Sequence, residues 1–444
     1  MSLNDAVNEA LPSALADLKR LIAIRSISSQ PEHADDVLAT ADLVVDLLKG
    51  LGCPEVRFME AGGGNPAVFG HFPAPEGQPT VLLYAHYDVQ PTGDPGQWTS
   101  PAFAAVERDG RLYARGSADD KGGIAVHLGA LRAFNGKPPV GVKIFIEGEE
   151  EIGSPSMSAL LSRFGADLAS DVFVIADAVN WKVGEPALTS TLRGLVDAVV
   201  TVSTLETGLH SGQFGGVVPD ALTALCRLLA TLHDERGNVA IEGLLSAPDP
   251  DVEYDEDRLR EETGILDGVE WIGEGMASAR MWTKPSASVL AIDATPVKDA
   301  SNTLVPTARA KVSVRIAPGD DVASAAAALK AHLLKNAPWG AKVTVEAGQG
   351  GAGTLIDLSG DKAEAAMDAF REAFGVDAVK IGTGGSIPIV AEFAELNPDA
   401  VFLLTAVVDP TSRMHGIDES LDLGDLAKAT LAEALLLQNL SRKG

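Results

Sequence analysis

Apolar residues recur at helical spacing over residues 11–24 and again over 34–51, where Gly50 and Gly52 act as stop signals. Beyond them the period shortens. Segments 56–59, 67–72 and 81–84 read as strands, parted by the turn Gly62-Gly63-Gly64 and by the Pro-bounded stretch 73–79. A helix is expected over 122–134 after a glycine-rich entry. Strands follow at 142–146 and 172–175, with a helix over 156–164 between them. This alternation predicts an α/β sandwich with a mainly parallel sheet.

The pattern changes near Gly194. Strands are expected at 195–202, 288–292, 308–316 and 342–346, with helices over 220–233 and 323–334. The order is β-α-β-β-α-β, the split unit of a ferredoxin-like domain. Residues 248–275 are acidic and glycine-rich and read as a surface excursion. Residues 348–353, Gly-Gln-Gly-Gly-Ala-Gly, read as a linker. A helix at 361–374, a strand at 400–404 and a helix at 423–437 then return to the first style. Residues 1–194 and 350–444 are therefore expected to form one discontinuous domain, with 195–349 inserted in it.

At 444 residues, two domains are the natural expectation. A net charge of −27 argues against a nucleic-acid partner and against anionic membrane surfaces. No apolar run approaches the ~20 residues that span a bilayer, and residues 1–25 read as an amphipathic helix rather than a signal peptide. Cys53 and Cys226 both sit in apolar contexts and are expected to be buried free thiols, which fits a reducing cytoplasm.

The candidate chemistry gathers at the ends of predicted strands. The strand at 142–146 runs into Glu147, Glu149, Glu150 and Glu151 before a Gly-Ser turn. Crowded carboxylates repel one another and lose hydration, a cost that a divalent cation offsets. One carboxylate could hold metal while its neighbour handles a proton. A solvated acidic turn is the plainer alternative. His86 and Asp88 follow the strand at 81–84, Asp119 and Asp120 precede a helix, Asp177 closes another strand, and His415 precedes the last helix. Taken singly, each has an ordinary reading as cap, turn residue or isolated polar group. Two histidines and three carboxylates together suit a pair of divalent ions, with Glu150 left over as a base.

These motifs resemble the M20 family of dinuclear metallopeptidases. The likeness lies in Ala85-His86-Tyr87-Asp88-Val89-Gln90-Pro91, residues 115–123, residues 147–154, Asp177 and Met414-His415-Gly416-Ile417-Asp418-Glu419. It covers nearly the whole chain. The resemblance implies that Asp119 bridges two metals, that His86 and Asp177 complete one site, and that Glu151 and His415 complete the other. Glu150 would be the general base acting on a metal-bridging water, and Asp88 would support His86. Asp120 stands where many relatives have Asn. On the substrate side, His210 resembles the lid histidine that reaches a partner subunit's site across a homodimer. Arg315 resembles the arginine that binds the substrate carboxylate, beside the loop Gly384-Gly385-Ser386. Thr303, in Ser301-Asn302-Thr303-Leu304-Val305-Pro306, belongs to a stretch that is most similar to carnosinase-like dipeptidases. The implied activity is hydrolysis of dipeptides or small peptides with a free carboxylate, using zinc, with manganese or cobalt as alternatives. N-acyl amino acid deacylation on the same centre, and a non-catalytic metal-binding scaffold, are the competing readings.

Overall fold

The computed structural model describes residues 1–385 and 388–443. The chain divides into two compact units, Met1–Ser190 with Ile356–Ile381 and Glu392–Gly444 in one, Thr191–Leu355 with Gly382–Ala391 in the other.

The first unit is built on a six-stranded sheet in the order Glu55–Met59, Ala67–Phe72, Gly141–Glu147, Thr80–His86, Val172–Ile175, Val401–Leu404. The first two pairings are antiparallel. The other three are parallel, so the sheet is mainly parallel, as the alternation predicts. Parallel strands are covered on both faces, which is why their sequences are continuously apolar. Every residue from Val81 to His86 is buried. Ile124, Leu128 and Leu131 of the helix Lys121–Ala133 join Leu83, Ile144 and Val174 of the sheet in one core. The N-terminal helix runs Leu3–Ile22, earlier than the pattern suggests. Ser2 and Asp5 form a reciprocal capping box, and Pro12 is carried inside the helix. Its inward face is Val7, Ala10, Ala14, Leu18 and Leu21, at spacings of three and four.

The second unit is an antiparallel sheet in the order Ser286–Asp293, Thr307–Ile316, Gly194–Ser203, Lys342–Gly351. Helices Ala221–Ala230 and Val322–Lys335 share its core, where Leu225, Leu228, Leu329 and Leu333 meet Val200, Val202, Val312 and Val314. This is the ferredoxin-like order. Part of the acidic excursion is folded as the helix Glu256–Thr263, with Leu259 buried. It helps wall a cavity of about 430 Å³ together with Trp271, Arg280 and Lys284.

Two expectations are corrected. The glycine run at 348–353 is not a free linker, because Lys342–Gly351 is one strand, bulged between Ala347 and Gly350. Glycine is needed there for close approach: a Cβ at Gly348 would lie 2.9 Å from the Asp197 Cβ. Cys226 is exposed, while Cys53 is buried as expected. The helix Ala221–Ala230 turns Ala221, Ala224, Leu225, Leu228 and Leu229 inward, which leaves position 226 on the outer face.

Candidate metal centre

Three neighbouring parallel strands deliver the site from their carboxyl ends. His86 ends one and lies opposite Glu147 at the end of the next. Asp177 follows the third, Val172–Ile175, by two residues. Open α/β sheets place ligands in this crevice. Asp119 comes from the loop before the helix Lys121–Ala133, and His415 from the loop before the strand Ser420–Asp422.

Asp119 lies between the two imidazoles. Its Oδ1 is 3.1 Å from His86 Nε2, and its Oδ2 is 3.0 Å from His415 Nε2. Glu151 Oε2 is 3.2 Å from the same His415 nitrogen. Two sets of donor atoms result, His86 with Glu150 and Asp177, and Asp119 with Glu151 and His415, each within 4.8 Å. Glu150 thus stands among the first set. Asp88 does not face the cluster centre. Its carboxylate accepts the backbone N–H groups of Glu150 and Glu151, each at 3.2 Å. Its carbonyl oxygen lies 3.1 Å from His86 Nδ1, which directs Nε2 toward Asp119.

The glutamate run is sorted by remote partners. Glu147 accepts from the Tyr84 hydroxyl at 2.7 Å and the Ser154 hydroxyl at 2.8 Å. Glu149 accepts from Asn65 N at 2.8 Å and Ser156 Oγ at 2.5 Å. Gln90 Nε2 donates to Glu151 Oε2 at 2.8 Å. Only Glu150 and Glu151 of the run face the donor sets.

The electrostatics fit a cation. Burial, and then the charges of Asp177 and Glu151, push Glu150 up to about 8. Burial pushes Asp177 up to about 6. Hydrogen bonds to Asp119 and Glu151 raise His415 to about 10. The cluster thus retains protons where its carboxylates crowd, and a divalent ion would meet the same charge with better coordination. Imidazole nitrogen and carboxylate oxygen are the donors that zinc, manganese and cobalt accept.

The model of peptidase family M20/M25/M40 matches residues 82–439. The chain belongs to that family. It is therefore a peptide-bond hydrolase. The M20 chain is 36% identical to the cysteinylglycine-S-conjugate dipeptidase of Corynebacterium striatum, over 95% of this chain and 94% of that one. It is 27% identical to the human Beta-Ala-His dipeptidase, over 87% and 82% of the two chains. Among solved structures it matches the di-peptidase Dug1p of Saccharomyces cerevisiae with a TM-score of 0.80 and 25% identity, over 99% and 98% of the chains.

In this peptidase the other expected site residues lie in the second unit. His210 and Thr303 are direct partners in a two-residue antiparallel ladder. His210 Nδ1 accepts the Gly212 N–H at 3.1 Å, so the neutral ring carries its proton on Nε2. Arg315 is half-buried in the strand Thr307–Ile316. Gly384 and Gly385 follow the strand Val379–Thr383, and Ser386 lies outside the described residues.

Two residues of the first unit had no role in the sequence reading. Glu419 is buried and accepts from Arg115 Nη1 at 2.7 Å, Gly116 N at 3.0 Å, Ala118 N at 3.0 Å and Asp119 N at 3.2 Å. Arg115 also donates to the carbonyls of Pro91 and Gly416. The pair ties the His86, Asp119 and His415 segments together. It also holds a loop in which Arg413, His415 and Asp418 are left-handed, a costly conformation without such partners. Both lie within stretches that carry the family likeness, 115–123 and 414–419, and that was the available signal. Glu419→Ala removes the buried counter-charge of Arg115 and leaves three buried N–H groups without their acceptor, so it is expected to cost about 3–5 kcal/mol of stability. Urea denaturation of the metal-loaded protein checks this, and a loss under 1 kcal/mol would refute the clamp.

Proposed function

We propose that this chain is a dinuclear metallodipeptidase that hydrolyses dipeptides with a free C-terminal carboxylate. It is a dipeptidase of the M20 family. The observation that carries the metal reading is Asp119, which presents one carboxylate oxygen to each of two imidazoles between the two donor sets. His86, Asp119 and Asp177 would hold one ion, and Asp119, Glu151 and His415 the other. When bound, the ions supply Lewis acidity, polarising the scissile carbonyl and acidifying water. Zinc is the favoured ion, with manganese and cobalt chemically suited to the same donors.

The chain's own groups do the rest. Glu150 takes a proton from the attacking water and gives it to the leaving amine as the C–N bond breaks. His210, supplied by a second copy in a homodimer formed through the second unit, donates its Nε2–H to the oxyanion. Arg315 and the backbone of Gly384 and Gly385 hold the substrate carboxylate, fixing the amide for attack. Thr303, paired with His210, supports the same subsite. The free thiols Cys53 and Cys226 fit a reducing, cytoplasmic setting. No helix among the described residues is long and apolar enough to cross a membrane.

The relatives named above act on cysteinylglycine conjugates and on β-Ala-His, which makes both natural members of a substrate panel. The test is hydrolysis of dipeptides and N-acetyl amino acids by metal-stripped protein, with and without added zinc, manganese or cobalt. Metal-dependent cleavage of dipeptides with acetylated substrates untouched is the expected result. Preference for acetylated substrates would overturn the dipeptidase reading in favour of a deacylase.

A further inference from the structure

We infer that Arg193 is a second cation for the substrate carboxylate, beside Arg315, and that it sets the preference for a free C-terminus. This rests on the carboxylate reading of Arg315 and the Gly384-Gly385 loop. Arg193 is 9% exposed and lies at the entry to the strand Gly194–Ser203. Its Nη1 donates to the Arg280 carbonyl at 3.2 Å, the Lys284 carbonyl at 3.3 Å and Ser286 Oγ at 3.0 Å. None of these is an acid. Ser286 is the cross-strand partner of Arg315, so the two arginines converge on one position at one end of the sheet.

The glycine loop closes the other side. The Arg193 N–H donates to the Thr383 carbonyl at 3.3 Å. A Cβ at Gly384 would stand 2.8 Å from Arg193 Nη2, so a side chain there would press on the guanidinium. Arg193 Nε is buried without a hydrogen-bond partner. Among the described residues, no carboxylate lies within ion-pair distance of Arg193 or Arg315, in a chain with 62 acidic against 35 basic residues. Burial, and then the charge of Arg315, lower the Arg193 pKa to about 10. Two adjacent guanidinium groups, one of them buried, repel each other and lose hydration unless an anion joins them. Planar guanidinium donors and the N–H groups of a glycine loop suit a carboxylate, which accepts from several donors at once. The bonds from Nη1 to main-chain carbonyls hold Arg193 in place. They do not neutralise it.

The experiment compares a dipeptide with its C-terminal carboxamide on metal-loaded wild type, Arg193→Met and Arg193→Lys, with thermal melts of each. Wild type is expected to prefer the free acid. Arg193→Met should raise KM for the acid more than it lowers kcat, and shrink the acid-to-amide ratio of kcat/KM at least about tenfold, the loss of a charge-assisted hydrogen bond. Arg193→Lys should recover part of that ratio. Arg193→Gln supplies a second variant if Arg193→Met does not fold, because its amide can still donate to the carbonyls and Ser286 while the charge is gone, and it should shrink the same ratio. An unchanged ratio in the folded variants would assign Arg193 to packing alone and overturn the inference. Absence of any acid preference in wild type would instead overturn the carboxylate reading on which it rests.

Discussion

Glu150→Gln is expected to slow dipeptide turnover roughly 10²–10⁴-fold while leaving the bound metal content unchanged, the span that positioned acid–base groups contribute. The residue suits the role by elimination among four glutamates. Glu147 is held by Tyr84 and Ser154, Glu149 by Asn65 and Ser156, and Glu151 by Gln90 and His415. The Glu150 carboxylate faces the donor sets with its backbone anchored on Asp88. Gln keeps the size and a carbonyl oxygen but cannot carry a proton through the reaction. Steady-state kinetics with metal analysis on the same preparation checks the expectation. Near-normal kcat would remove Glu150 from the proton-transfer role. Loss of metal along with activity would make it a ligand, which its place beside His86 and Asp177 allows.

The same variant carries a pH signature in the metal-stripped protein. The Glu150 pKa is raised from 4.5 to about 8, so the folded chain holds this proton more tightly than the unfolded chain. Its contribution to stability is full below 4.5 and is lost as pH rises through about 8. His415, raised from 6.5 to about 10, has the same sign over a higher window. Metal-stripped wild type should therefore lose stability between pH 5 and 8, and Glu150→Gln, neutral throughout, should lose less. Equal slopes in denaturant titrations would show that Glu150 does not titrate in that interval.

Much of this centre was legible because its residues sit where strong hydrophobic periods end. His86, Glu150, Glu151 and Asp177 follow buried parallel strands, whose apolar runs are hard to misread. What was hidden depended on partners distant in sequence. Nothing local to the glutamate run says that Tyr84 engages Glu147 and Asn65 engages Glu149, from 63 and 84 positions away, and that Glu150 is left to the cluster. The Glu419 clamp joins groups about three hundred positions apart. Arg193 is one basic residue before a glycine until the strand holding Ser286 is brought against that holding Arg315. Strands of two or three residues, such as Leu209–His210 and Ser420–Asp422, are too short to show a period. The run at 348–353 misled because glycine marks close backbone approach as well as flexibility.

Asp119→Ala is expected to weaken binding at both metal positions at once, by more than about 100-fold, since changes to groups behind the ligands alone cost 10–100-fold. Asp119 is buried, which opposes ionisation, but hydrogen bonds from His415 and His86 win and hold its carboxyl well below the usual carboxylate range. It is thus an ionised group facing both donor sets, whereas burial and neighbouring negative charge bias Glu150 and Asp177 toward their protonated forms. Removing it leaves two imidazoles that no longer share an anion and takes one negative charge and one oxygen donor away from both positions. Wild type should melt at higher temperature as divalent metal is added, because the ion binds the folded state, with about 2.7 kcal/mol gained at a hundredfold excess over Kd. The variant should lose most of that shift, and metal analysis after desalting should find less than one ion per chain. His415→Ala should weaken one position and spare the other, so the pair of variants separates a shared ligand from a single-site one. An Asp119→Ala protein that keeps a full thermal shift would show that the two donor sets act independently, and the bridging role would fall.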